Sequence, residues 1–274
     1  MRNLGKNKIL WFATTFLTLA AAVLGIAIPN FYGKVLTASL IPAGYAQDLL
    51  TILVCLVLFW LIFMTKECDL KRQVMIIGII GSFFYLYGIF SIERVYNIAY
   101  YLYLAIFSLS FWSLIYSLAS IKGEVLSRIE VSKLVRYLSA CFSILIATLF
   151  SILWISALFP LISEGKKIEF FYSIYLLDLC FVMPAFIIIA VMVLKKRGLG
   201  LLLSPAIFIL GIFVILPLGL GELAKPFYGM PADTRSMIMS FLLSGLFAAM
   251  AFVHLGSLKM REGPSSTVYR TPTV

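Results

Sequence analysis

Eight apolar stretches, each long enough or nearly long enough to cross a lipid bilayer, constrain the fold of this chain more than any other feature. A membrane-spanning helix needs roughly 20 mostly apolar residues, because the hydrocarbon core is about 30 Å thick and each helical residue rises about 1.5 Å. The stretches therefore predict an all-α fold, a single transmembrane helix bundle over residues 1–258. They lie at residues 9–28, 49–65, 74–92, 98–121, 138–161, 170–194, 199–220 and 238–258, and we expect the second, the shortest, to extend through Asp48 and Gln47.

The composition excludes a water-soluble globular protein. Of the 274 residues, 62% are hydrophobic and 12% are charged, whereas a soluble domain has about 45–50% apolar and roughly 25% charged residues. The net charge of +10 does not indicate a nucleic-acid partner, because the basic residues follow the ends of the apolar stretches rather than one patch. The partner that the composition predicts is the lipid bilayer.

The basic residues also predict the orientation of the helices. Cytoplasmic segments keep an excess of Lys and Arg, and alternate segments of this chain divide its 22 basic residues into groups of 16 and 6. The smaller group is Lys34, Arg94, Lys166, Lys167, Lys225 and Arg235. We therefore expect eight spans with both termini in the cytoplasm, because a missed or additional helix would disturb this alternation.

The first stretch and the last residues need separate interpretation. Three basic residues precede the first stretch, as in a secretory signal peptide, and residues 25–27 are a conceivable cleavage site. Its length favours an uncleaved helix over the roughly 7–15-residue core of a signal peptide, but cleavage, which would leave seven spans, stays open. Residues 259–274 have little apolar content, and we expect them to form a disordered cytoplasmic tail.

The sequence contains no recognisable catalytic or metal-binding motif. His254 is the only histidine, and the patterns of metalloproteases, serine hydrolases and phosphate-binding loops do not occur. The four cysteines have neither C-x-x-C spacing nor a nearby histidine, so they predict no disulfide framework and no metal site. We expect no catalytic residues, no metal and no cofactor, and an enzyme is the least supported class.

Asp178 is the most informative residue, because an acid inside a membrane span is costly unless it faces a partner or water. It lies about 12 Å from the start of the sixth stretch at about 1.5 Å per residue, and Tyr175 is one turn away on the same face. The interpretation that we favour is a structural tie between helices. A ligand or ion site and a proton relay are the alternatives.

Other polar residues lie at the same predicted level of the bundle. Gln47 and Asp48 open the second stretch, Glu93 and Arg94 close the third and Asn97 opens the fourth. The candidate ligand or ion site, a polar pocket that faces outward, consists of Asp178, Tyr175, Gln47, Asp48, Arg94 and Asn97. Helix-end charges and interfacial tyrosines are also ordinary features of a bilayer boundary, and this interpretation is favoured over a pocket.

Two further patterns indicate packing and a boundary position. Ser110, Ser113, Ser117 and Ser120 recur at helical spacing on the fourth stretch, where small residues let two helices approach closely. His254, near the predicted cytoplasmic end of the last stretch, is expected to lie at the membrane interface.

Three segments of the chain form a recognisable pattern: residues 45–51, the aromatic third and fourth stretches, and residues 175–185 with the following Lys195–Arg197 cluster and Gly200. This pattern resembles a family of uncharacterised prokaryotic polytopic membrane proteins. The family has a Gly-Tyr pair where this chain has Gly200 and Leu201. The resemblance implies a multi-pass protein of a prokaryotic plasma membrane and draws attention to Gln47, Asp48 and Asp178, but it implies no activity.

The sequence therefore leaves two functions open. The first is binding or transport of a small molecule or ion through an outward-facing polar cleft. The alternative is a membrane scaffold or sensor that acts through partners and does not transport. A polar cavity that reaches Asp178 would favour the first function. A closely packed bundle without water, in which protein groups supply the hydrogen bonds of Asp178, would favour the second.

Overall fold

A computed structural model describes residues 3–165 and 172–261, and within them eight helical segments are long and apolar enough to span a membrane. The predicted all-α bundle is confirmed. The helices are α1 (Leu4–Ala27), α2 (Ile41–Met64), α3 (Leu70–Ile92), α4 (Tyr100–Ala119), α5 (Gly123–Leu126), α6 (Lys133–Glu164), α7 (Tyr172–Leu177), α8 (Met183–Leu194), α9 (Gly198–Ala224) and α10 (Thr234–Ser257). The short helix α5 does not span, and α7 and α8 are joined by a π-helical turn, Asp178–Val182, into one span.

The second span begins earlier than its apolar stretch indicates. A 3₁₀ turn over Ala38–Leu40 leads into α2, and Pro42 lies in the first helical turn. Proline suits that position because its missing N–H would have no partner there and its φ is already helical. The expected extension through Gln47 and Asp48 is confirmed, since both are buried residues of α2.

The helices run alternately between two ends of the bundle. The basic end holds loops 65–69, 120–132 and 195–197, and the aromatic end holds loops 28–40, 93–99 and 225–233. Contacts join the segments at each end: Lys8 donates to the Phe63 carbonyl at the basic end, and the Tyr45 and Tyr228 rings stack at the aromatic end. Helix α3 lies at the centre, because 72% of its most apolar 18-residue segment is buried. The corresponding share for α6 is 11%, so α6 lies at the periphery.

Helices α1 and α4 pack through polar side chains. The Trp11 indole donates to the Ser117 hydroxyl at 2.8 Å, and the hydroxyls of Thr14 and Ser113 are 3.2 Å apart. Ser117 also donates to the Asn7 side-chain oxygen at 3.2 Å. The serine stripe of the fourth stretch therefore serves helix packing, as its spacing predicted, because small residues allow this close approach.

A small sheet closes the basic end and changes the predicted start of the tail. Strands β1 (Ile129–Glu130) and β2 (Lys259–Met260) pair antiparallel, and the Arg261 N–H donates to the Arg128 carbonyl. The first residues of the predicted disordered tail are therefore ordered by backbone pairing, which residue composition does not reveal. The rest of that tail lies outside the described residues.

Candidate functional site

The two intramembrane aspartates lie on opposite sides of α3. Asp178 interacts with Tyr85, and Asp48 lies in the electrostatic environment of Tyr87. Residues two apart on a helix point in nearly opposite directions, because each residue turns the helix by about 100°. Asp178 and Tyr175 therefore lie on one side of the central helix and Asp48 on the other, so the six predicted site residues do not form one polar pocket.

The first group is centred on Asp48, which is 2% exposed. The hydroxyl of Tyr32, a fully buried residue of loop 28–40, donates to the Asp48 carboxylate at 2.6 Å. Gly25 of α1 lies so close that an added Cβ would overlap this carboxylate. We call the hydrogen bond the Tyr32–Asp48 latch, because it fastens the loop between α1 and α2 to α2.

Burial keeps the latch donor protonated. Desolvation, and secondarily the neighbouring Asp48 carboxylate, raise the pKa of the Tyr32 phenol well above its ordinary value of 10.0. The phenol therefore stays a hydrogen-bond donor over the physiological pH range, because ionising it here would place a second negative charge in a buried site.

The same aromatic layer holds Asn97. Its amide N–H donates to the Tyr103 hydroxyl at 3.0 Å, and its oxygen accepts from the Ala99 N–H at 3.0 Å. The ring of Tyr103 packs on those of Tyr87 and Phe90 at centroid distances of 5.7 and 5.1 Å. Asn97 therefore fixes the start of α4 beside the Asp48 group, which is a structural role.

The second group is centred on Asp178. The indole N–H of Trp154 on α6 donates to the Asp178 carboxylate at 2.6 Å, and Tyr85 on α3 faces the same carboxylate. The Tyr175 ring stands edge-on to Trp154 at 5.3 Å. Asp178 and Tyr175 are thus neighbours as predicted, and the acid ties α6, the sixth span and α3 together.

The π-helical turn at Asp178 has a local cause. Pro184 has no N–H to donate to the preceding turn, and its ring crowds the carbonyl four residues earlier. The backbone widens instead, so that the Met183 N–H reaches the Asp178 carbonyl. Such single wide turns are frequent at functional sites, and here the turn presents the carboxylate to a chamber of about 30 Å³ that Phe150 and Val214 help to line.

A larger cleft opens at the aromatic end between α2, α3 and α9. Its volume is about 160 Å³, and its walls also include Val35 and Leu36 of the latched loop and Ile174 of α7. Val214 lines both this cleft and the chamber beside Asp178. An apolar cleft with few polar groups is the usual form of a small-molecule site.

The polar side chains of the cleft are Gln47 and Glu93, and the remaining lining is apolar or glycine. The Gln47 amide donates to the Thr51 hydroxyl at 3.0 Å. One Glu93 oxygen accepts from both the N–H and the hydroxyl of Ser173, at 2.8 and 2.6 Å. The cleft is thus mainly apolar and differs from the polar pocket that was the less favoured interpretation of the sequence, because most polar groups of this end bond to one another.

Sequence reasoning placed some of the functional side chains and missed others. Gln47 lines the cleft as a candidate residue should, whereas Arg94 is exposed at the helix end, where its backbone has a φ of 57°. Trp154 was missed, because a tryptophan in an apolar stretch resembles any lipid-facing residue. Glu93 was visible as a charge at a helix end, but its place in a cleft depends on how the helices pack.

His254 lies in the last turn of α10 and faces the interior of the bundle. It is completely buried, with Nε2 2.8 Å from the Leu201 carbonyl and Nδ1 2.7 Å from the Ser139 hydroxyl. Since a carbonyl only accepts, Nε2 carries the proton, and in the neutral ring Nδ1 accepts from Ser139. The histidine joins α6, α9 and α10, and helical periodicity alone could not identify these partners.

Comparisons with known proteins do not assign a function. Within residues 3–165 and 172–261, no group of three or more His, Cys, Asp or Glu side chains could hold a metal ion. Searches against family models, curated proteins and solved structures found no match. The functional argument therefore rests on the geometry of the cleft.

Proposed function

We propose that this multi-pass membrane protein binds a small, largely apolar molecule in the cleft between α2, α3 and α9. The observation that carries the proposal is the combination of apolar walls with a few polar atoms that have no partner within the described part of the chain. The Gln47 amide oxygen and the second Glu93 oxygen are such atoms. Polar groups of this kind fix the orientation of a ligand that apolar walls desolvate.

The latch supports this proposal because it shapes the cleft wall. Val35 and Leu36 belong to the same loop as Tyr32, three and four residues further along the chain. A loop held by a buried hydrogen bond presents these side chains in one arrangement, which lowers the ordering cost of binding. The latch therefore serves as a positioning device for the cleft rather than as part of a reaction.

A ligand screen on the purified protein tests the proposal. A ligand at 100 times its dissociation constant stabilises the folded state by about 2.7 kcal/mol, which a thermal-shift assay detects. Ile89→Trp should fill the cleft, and Leu53→Trp, at a position that is 56% exposed on α2, is the matched control. We expect some small apolar compounds to raise the melting temperature of wild type and of Leu53→Trp but not that of Ile89→Trp. Equal stabilisation of all three proteins would contradict the proposal.

We further propose that the basic end is cytoplasmic and the aromatic end external, in a prokaryotic plasma membrane. The excess of Lys and Arg at the basic end supports this orientation, and the family resemblance supports the type of membrane. Reporter fusions at Lys66, Lys122, Lys195 and the C-terminus should all report the cytoplasm. An external signal from any of them would contradict the orientation.

A scaffold function is the second candidate, and the Asp178 group favours it. Trp154 already donates to this carboxylate and Tyr85 lies beside it, as expected of a structural tie. In that case cleft-filling variants would leave any phenotype of a deletion strain unchanged, whereas loss of Asp178 would lower the amount of folded protein.

A further inference from the structure

The charge of the cleft indicates the class of its ligand. Glu93 is the charged residue among the described residues that line the cleft, and Asp178 is the charged residue of the adjoining chamber. The chain as a whole has 22 basic and 12 acidic residues. Both cavities share Val214 in their walls, and among the residues that the structure describes the charged residues lining them are acids. In a strongly basic protein, this lining gives the two neighbouring cavities a negative interior.

The free hydrogen-bonding capacity of the cleft has the same character. One Glu93 oxygen accepts both hydrogen bonds from Ser173. The other carboxylate oxygen has no protein partner within the described ranges. The Gln47 oxygen is likewise available, and the described ion pairs do not include Glu93. A ligand that complements the Glu93 and Gln47 oxygens must donate hydrogen bonds, and the negative charge of Glu93 favours a ligand with a positive charge.

An aromatic wall adds a second attraction for a cation. Phe90 lines the cleft between the turns of α3 that carry Leu86 and Glu93. A cation near the face of an aromatic ring is attracted by the negative charge of that face, and more strongly when both are shielded from water. The apolar walls shield the cleft in this way, and they also exclude a small inorganic cation, which needs several oxygen ligands.

From these observations we propose that the ligand is a hydrophobic organic cation, an amine whose ammonium group binds Glu93 and whose apolar body fills the cleft. This inference rests on the proposed binding function and adds the charge of the ligand. Glu93 is then the residue that determines specificity, and Gln47 is a second acceptor for the ammonium hydrogens. The apolar walls, which include Val35 and Leu36 of the latched loop, bind the body of the molecule irrespective of its charge.

A matched pair of probes separates charge from apolar fit. 4-Phenylbutylamine and 4-phenylbutan-1-ol have similar bodies and both donate hydrogen bonds, but only the amine is a cation at neutral pH. We expect wild type to bind the amine about 10-fold more tightly than the alcohol in an equilibrium binding assay, a preference worth about 1.4 kcal/mol. Glu93→Gln should weaken amine binding by about the same factor and leave alcohol binding unchanged.

Two controls keep the result interpretable. Glu93→Gln retains an oxygen that can accept from Ser173, so its melting temperature should match that of wild type. Glu222→Gln is the matched control, because Glu222 is an acid at the same end that binds Lys225 and the Asp233 N–H instead of lining the cleft. It should preserve the amine preference.

The outcomes distinguish the two proposals. Equal binding of amine and alcohol, with both lost in Ile89→Trp, would overturn the cationic ligand and keep the cleft as a binding site. An amine preference that persists in Glu93→Gln would overturn the role of Glu93. Binding that Ile89→Trp does not change for either probe would contradict both the cationic ligand and the proposed function.

Discussion

The latch makes a quantitative prediction about stability. Tyr32→Phe removes the hydroxyl that donates to Asp48 at 2.6 Å but keeps the ring, which packs against Phe31 and Tyr45 at 5.1 and 5.3 Å. Hydrogen bonds to charged groups contribute about 1.5–3 kcal/mol, and a buried acceptor left without a donor costs a similar amount. Because Asp48 is only 2% exposed, we expect the variant to lose about 2–3 kcal/mol of unfolding free energy.

The partner of the hydroxyl can be tested in the same assay. In an Asp48→Asn background the acceptor is neutral, so Tyr32→Phe should cost only about 1 kcal/mol there. The difference between the two costs measures the coupling between these side chains. Tyr45→Phe is the control, because within the described residues the Tyr45 hydroxyl makes no hydrogen bond, and its removal should change stability by less than about 0.5 kcal/mol.

The measurement is reversible unfolding in mixed detergent micelles, followed by circular dichroism. Since the pKa of Tyr32 is raised on folding, the phenol is protonated in both the folded and the unfolded state below the unfolded pKa near 10, and its contribution to stability is lost progressively as pH rises from there through the higher folded value. The cost of Tyr32→Phe should therefore be the same at about pH 8 and about pH 9. A cost below about 0.5 kcal/mol, or an equal cost in both backgrounds, would refute the latch.

Two further predictions concern packing and the second acid. Gly25→Ala should destabilise the protein strongly, because its Cβ would overlap the Asp48 carboxylate. Gly245→Ala has open space around it and should stabilise α10 by up to about 1 kcal/mol. Similar melting temperatures for the two variants would contradict this packing. Asp178→Asn keeps an acceptor for Trp154 and should change stability by less than about 1 kcal/mol, whereas Asp178→Leu leaves the indole N–H unpaired and should cost about 1–3 kcal/mol. Equal unfolding free energies for the Asn and Leu variants would show that this hydrogen bond does not stabilise the bundle.

The architecture could be predicted from the sequence because a bilayer-spanning helix must be long and apolar, and each such helix can be recognised from its own residues alone. The apolar stretch underestimates the length of α2, which begins at Ile41, because Gln47 and Asp48 are polar residues buried inside the protein. Hydropathy measures transfer into lipid, so it underestimates a span whose polar residues face protein.

The candidate site could be predicted only in part, because partners across helices depend on packing. The sequence identified Asp178 and Tyr175 as neighbours from helical spacing, which is a local property. It could not show that Trp154, 24 residues away, supplies the donor. It also could not show that α3 separates Asp178 from Asp48, since the order of helices in the bundle is not encoded in any single stretch.

The most direct test of the cleft is an experimental structure of the protein with the tightest ligand from the screen. The proposed function predicts ligand density between α2, α3 and α9, with a polar atom of the ligand within hydrogen-bonding distance of Gln47 or Glu93. Density in the groove between α1 and α2 that Phe12 and Phe59 line, with an empty cleft, would contradict it.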